Sequence, residues 1–250
     1  MVIPKKWEDI SPDIAIAIAP DILRGATDVA AKMRILEALL PSEILPVFAK
    51  LKPAKIRPLL KDIEWTFTTP IIKPHLHTFT INDVQYHLPK ETFKNINLIE
   101  YSYATNFYRH LAEKRDFKAL NKIIAALCRP AKSELDEQSP DYNGDPREKF
   151  NPTLIDQRAE LFDALPAEFK AYFIIYFNSC SEYITKQFKV LFDGDTEGAK
   201  GPNFGWLGVI YGLADSGVFG NFEQCQFTNI YTALGYRLKK YYEAKEISKA

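Results

Sequence analysis

A chain of 250 residues with 46% hydrophobic and 26% charged residues lies among folded globular compositions. It is long enough to bury a core without disulfide or metal staples. Lys plus Arg and Asp plus Glu both number 32, so no net field exists to recruit nucleic acid or an anionic membrane, and neither is an expected partner. Cys128, Cys180 and Cys225 are odd in number and stand far apart among apolar residues, which predicts buried free thiols in a reducing compartment.

The opening stretch, MVIPKKWEDISPD, holds Pro4, Trp7 and acids where a signal peptide needs an apolar core, and no later run reaches the roughly 18 apolar residues of a spanning helix. A cytoplasmic location is therefore expected. Ser11 followed by Pro12 caps and starts a helix through Ile14 to Leu23, ended by Gly25. A second helix is expected from about Asp28 to Leu40, after which Pro41, Pro46, Pro53 and Pro58 cut the chain into short helical pieces.

Around residues 64–88 the apolar period changes to two: Trp65 and Phe67, Phe79 and Ile81, then Val84, Tyr86 and Leu88. Asn82-Asp83 between the last two runs predicts a β-hairpin near residues 75–88 with Ile81 opposite Val84, Phe79 opposite Tyr86 and Thr78 opposite His87. Because a lone hairpin is unstable in water, one of its faces must pack on helices or on another protein. Asn97 and Glu100 form a capping-box pattern opening a helix to Leu111, and a further helix over Leu120 to Cys128 stops at Arg129-Pro130. Residues 133–152 are polar and acidic without periodicity. They divide the chain into an amino-terminal helical part with the hairpin, 1–132, an acidic loop, 133–152, and a carboxy-terminal helical part, 153–250.

In that last part Phe169, Tyr172, Phe173, Tyr176, Phe177, Cys180, Ile184, Phe188 and Leu191 recur at three and four residues, predicting a long aromatic-faced helix. A second long helix is expected from about Asn221 to Tyr241, with a short helix carrying Trp206, Ile210 and Leu213 between them. The fold class is thus all-α, multi-helical, with a minor β-hairpin.

Tests for chemistry return little. His75, His77 and His87 fall on the proposed hairpin, but side-chain alternation puts His87 on the face opposite the other two, so three-histidine metal ligation fails and exposed hairpin histidines are expected. His110 lacks a partner at zinc-protease spacing and reads as a helix-surface residue. Asp193-Gly-Asp195-Thr-Glu197-Gly198 begins like an EF-hand loop, yet Phe204 stands where the bidentate Glu belongs; Asp141-Tyr-Asn143-Gly-Asp145 is followed by Pro146 instead of Gly. Gly194, Gly198 and Gly201 lack the Lys-Ser or Lys-Thr of a phosphate loop, and no Gly-x-Ser-x-Gly elbow occurs. Cys180 between two serines lies on an apolar helix face, where a thiol is raised in pKa, not activated. No catalytic, cofactor or metal residues are assigned. Phe107, Tyr108, Tyr172, Tyr176, Trp206, Tyr231, Tyr241 and Tyr242 fall at helical spacing and read first as core. The aromatic surplus of the terminal helices exceeds what one face needs, which makes Trp206, Tyr231, Tyr241 and Tyr242 the candidate partner-binding residues.

Trp7 ahead of a helix, a hairpin ending in Tyr86 and Pro89, and a helix finishing in Ile123-Ile124-Ala125-Ala126-Leu127-Cys128-Arg129-Pro130 resemble small helical proteins of phage and prophage morphogenesis clusters. Phe204-Gly205-Trp206 through Leu213-Ala214 and the terminal helix resemble the last part of tail assembly chaperones of tailed phages. The resemblance is one of layout, over roughly residues 1–130 and 203–245. It implies a non-enzymatic cytoplasmic helper in a bacterial host, without cofactor, that shields a helical protein partner such as a tape measure or other tail protein. Two alternatives stand beside it: a structural or scaffold component that stays in the particle as a homo-oligomer, and an enzyme using His75, His77 and Glu64 with a metal.

Overall fold

The computed structural model describes residues 3–133, 138–139, 142, 144–192 and 205–247. In chain order the helices are α1 (Pro12–Arg24), α2 (Val29–Leu39), α3 (Leu45–Phe48), α4 (Pro53–Asp62) and α5 (Trp65–Thr68). Strands β1 (Thr78–Ile81) and β2 (Val84–His87) follow, then α6 (Leu98–Lys114), α7 (Lys118–Leu127) and the short β3 (Arg129–Pro130). The chain continues through α8 (Ile155–Leu161), α9 (Ala167–Gln187), α10 (Lys189–Phe192), α11 (Gly205–Ser216), α12 (Phe222–Gln226) and α13 (Ile230–Ile247). The fold is all-α and multi-helical with one small antiparallel sheet, as expected. No helix of the described residues is long and apolar enough to cross a membrane.

Two compact units form, one from residues 1–76 with 164–180 and one from 77–163 with 181–250. The contacts therefore part the chain at different places from the division at 133–152 expected above. The reason is that the ends of that loop are tied together. Lys132 N–H donates to Pro146 O at 2.9 Å and Glu148 N–H to Pro130 O at 2.8 Å, while Asn121 on α7 donates to Ala159 O on α8 at 3.2 Å. Helices on both sides of the acidic loop thus share one core.

In the first unit, Ser11 caps α1 by accepting from Ile14 N–H and Asp28 caps α2 by accepting from Ala31 N–H. Both satisfy an orphan donor of the first turn. Ile18 and Ala19 of α1 and Ile35 and Leu36 of α2 are fully buried, and Arg34 of α2 reaches Asp21 of α1 with a forked hydrogen bond. Trp65 and Phe67 do not form a strand. Their segment coils into the one-turn α5, because Trp65 Nε1–H donates to Pro4 O at 2.9 Å while its ring packs edge-on against Trp7 at 5.0 Å.

In the second unit the hairpin has the expected register, with Thr78, Phe79, Thr80 and Ile81 opposite His87, Tyr86, Gln85 and Val84. Asn82 and Asp83 take φ of 49° and 60°, the left-handed pair that a type I′ turn requires. Phe79 and Tyr86 stack at 5.4 Å, and both meet Phe162 edge-on, so the hairpin's inner face is covered by protein. A third strand, β3, pairs with β2 through Tyr86–Pro130 and His87–Arg129.

The long terminal helix expected from Asn221 is broken. Asn221 and Gln224 make a full capping box on α12, but the chain leaves the helix at Phe227 and restarts at Ile230. Leu98 N–H donates to Thr228 O and Ile230 N–H to Ile96 O, both at 3.0 Å, and these bridges hold residues 228–230 extended against the entry to α6. Asn229 then receives Tyr231 N–H at 2.9 Å and starts α13.

Candidate interaction surface

The polar chemistry of the second unit concentrates in a buried lattice of four charged side chains. Glu100 sits in the first turn of α6, positioned by Asn97, whose side chain accepts from Glu100 N–H at 3.0 Å and donates to Glu100 Oε1 at 2.6 Å. This differs from a full capping box, in which the acid would return to the backbone of the cap residue. Glu100 is instead turned inward to Arg129, whose Nη2 donates to Oε1 at 3.0 Å, and Arg147 Nη2 lies at ion-pair range, 3.2 Å, from Oε2. Arg147 also grips Asp145 through Nε and Nη2 at 2.9 and 2.8 Å. The remaining donors of the two guanidinium groups end on carbonyls of Ala126, Leu127, Glu148 and Asn95. Two of these belong to the last turn of α7, where carbonyls lack helical partners.

Burial on its own pushes Asp145 up, but the Arg147 hydrogen bonds and charge, joined by Arg129, hold its carboxyl below the usual range. Burial and the neighbouring Arg147 pull Arg129 down, while Glu100 pulls it back. Burial likewise pushes the adjacent Cys128 thiol up, which makes it inert rather than nucleophilic. Arg129, Arg147 and Glu100 are 2% exposed or less, while Asp145, the outermost of the four, borders a polar pocket with Lys90, Lys94 and Asn97. The lattice is a clamp joining α6, α7 and both ends of the acidic loop.

The histidines do not converge. His75 packs within the first unit, not on an exposed hairpin: its N–H donates to Tyr172 Oη at 2.8 Å, its Nε2 lies 2.9 Å from Trp7 O, and its ring meets both aromatic rings edge-on. Burial lowers its pKa below the ordinary 6.5, against a smaller upward pull from the Trp7 carbonyl. Glu64 is engaged by Lys32 at 3.2 Å, and His77 is exposed in the second unit. Among the described residues no three His, Cys, Asp or Glu side chains gather as a metal site. Residues 193–204, Asp141 and Asn143, and with them both EF-hand-like stretches, lie outside the described residues. All three cysteines are buried and free.

A polar cleft of about 300 Å³ opens between α7 and α8, where Lys122 pairs with Asp156 at 2.7 Å and Asn121 donates to Asp163 at 2.6 Å.

The four aromatic residues expected to bind a partner divide into two pairs. Trp206 on α11 packs edge-on against Tyr101 at 4.9 Å and near Phe192, and Tyr231 donates its hydroxyl to Thr92 O while packing near Phe188. Both serve the unit's own packing. Tyr241 and Tyr242, 40% and 49% exposed, touch each other edge-on and face solvent. Most of the large apolar side chains left exposed among the described residues likewise lie beyond Ser181, including Val190, Leu207, Tyr211, Val218 and Ile247. Sequence periodicity could mark these helices as amphipathic but not which apolar positions stay uncovered.

Beside Tyr241 the surface sinks into a groove of about 440 Å³ between α10, α11 and α13, lined by Val190, Leu191, Leu213, Tyr236, Arg237 and Tyr241 among others. The chain is thus multi-helical, with large apolar side chains exposed on its last helices. Compared with known proteins, it matches no family model, no curated protein and no solved structure.

Proposed function

We propose that this chain is a non-enzymatic interaction protein, an assembly chaperone that holds a tail component of a phage or prophage before it enters the particle. The observation that carries the reading is the set of exposed apolar side chains on α11 and α13: Leu207, Tyr211, Tyr241 and Tyr242. Exposed apolar surface of that kind costs solubility unless a partner covers it for part of the protein's life. The layout resemblance to tail assembly chaperones supplies the direction.

The test is affinity purification from the native host with identification of the co-purifying proteins. A long helical tail protein bound in the complex and absent from finished particles supports the reading. Recovery of this chain inside purified particles replaces it with a structural role. The paired variant Tyr241→Ala/Tyr242→Ala removes two solvent-facing rings, so its fold should persist while partner capture falls at least tenfold; undiminished capture removes these residues from the interface.

A further inference from the structure

Three observations converge on the groove beside Tyr241. The first is a helix face that changes from covered to open along its length. Ile230, Ala233 and Leu234 form the buried stripe of the first turns of α13, and the 3.6-residue period carries the same stripe on to Arg237 and Tyr241, which are exposed. Among the described residues, the second half of the helix thus carries this face uncovered.

The second is Gly212. It sits in the interior of α11, where glycine costs about 0.5–1 kcal/mol relative to alanine. A Cβ added there would meet nothing within 4 Å, so neither close packing nor backbone conformation explains the glycine. Its effect is to leave one wall of the groove without a side chain.

The third is charge. Arg237 lines the groove, no carboxylate pairs with it among the described residues, and the surrounding protein pulls its pKa down. The other cation of the groove, Lys240, is already held by Glu243 at 2.8 Å.

From these we infer that the groove between α10, α11 and α13 is a docking site for an amphipathic helix of another protein whose apolar ridge carries a carboxylate that pairs with Arg237. The inference rests on the interaction-protein reading and names the chemistry of the partner. A helix suits the walls because all three are helices, whose ridges and grooves accept a fourth, and they offer no strand edge for an extended peptide. The apolar ridge would bury against Val190, Leu191 and Tyr241. The carboxylate is what distinguishes the right helix from any greasy one, since charge complementarity selects partners more than it adds affinity.

The test measures fluorescence anisotropy of two labelled helical peptides on the 250-residue chain. Both peptides have leucine at i, i+3, i+4 and i+7; one carries glutamate beside the ridge and the other lysine at the same places. The natural chain should bind the glutamate peptide about tenfold more tightly, and Arg237→Glu should invert that preference. Gly212→Leu, which fills open space on a helix and should not unfold it, should abolish binding of both. Equal binding of the two peptides, binding of neither, an uninverted preference in Arg237→Glu, or undiminished binding in Gly212→Leu each overturns the inference. So does light scattering that finds a dimer of the natural chain converted to monomer by Gly212→Leu, because the occupant is then a second copy. Tail-protein capture that survives Gly212→Leu sinks the groove and spares the chaperone reading, whereas glutamate-peptide binding without any tail protein in host complexes does the reverse.

Discussion

Arg147 and Arg237 belong to the same unit and meet opposite fates. Arg147 is wholly buried and every nitrogen of its guanidinium has an acceptor, from two carbonyls and the Asp145 carboxylate, with Glu100 at ion-pair range. Arg237 stands at an open groove with no carboxylate among the described residues. The difference teaches where this molecule has completed its own interactions and where it has left them for something else. A buried cation that is fully satisfied is architecture, whereas an unsatisfied one on an apolar surface awaits a counter-charge.

The sharpest way to break the comparison is to remove both side chains and measure urea unfolding. Arg147→Met takes away the forked partner of Asp145 and the cation facing Glu100 Oε2, leaving two buried carboxylates to share Arg129, and should cost about 3–5 kcal/mol. Arg237→Met should change stability by no more than about 0.5 kcal/mol. Equal losses would mean that Arg237 also holds the fold together.

A milder case lies in the first unit, where His75 is packed between Trp7 and Tyr172. Because its folded pKa lies below the ordinary 6.5, the unfolded chain binds the proton first, so stability is fully present above about pH 6.5 and falls as the pH drops through the folded value. Thermal melting between pH 7.5 and 5.5 should show the decline, and His75→Gln should flatten it; parallel curves would assign the pH sensitivity to another group.

The smallest expected effect concerns the hairpin turn, which is complete in itself and owes nothing to a partner. Asp83 holds a left-handed φ of 60° that glycine adopts freely, so Asp83→Gly should raise stability by up to about 1 kcal/mol. A loss on substitution would show that the Asp83 side chain makes a contact of its own.

The elements legible in the sequence were those whose causes are local. Ser11, Asp28 and Asn97 each cap within three residues, Asn82-Asp83 turns within two, and α9 follows from its own periodicity. What escaped depends on distant partners. Trp65 looks like strand until Trp7 and Pro4 are brought against it, and the helix through Phe227 looks continuous until residues 96–98 pair with its middle. The charged lattice is assembled from positions 100, 129, 145 and 147, none of which advertises the others. At the terminal surface, Tyr241 and Tyr242 were legible as surplus aromatics, but Arg237 and Gly212 were not. An unpaired charge and an empty wall are defined by what surrounds them.

The first unit is discontinuous along the chain: residues 1–76 are completed by 164–180, and the whole stretch 77–163 belongs elsewhere. On the ribosome this means that the first segment emerges long before Tyr172, which His75 needs, or Ser179, whose hydroxyl accepts Ile71 N–H at 3.1 Å. Synthesis delivers the beginning of the second unit before the end of the first. The amino-terminal helices therefore wait, with His75 and Ile71 lacking these partners, until α9 has been made.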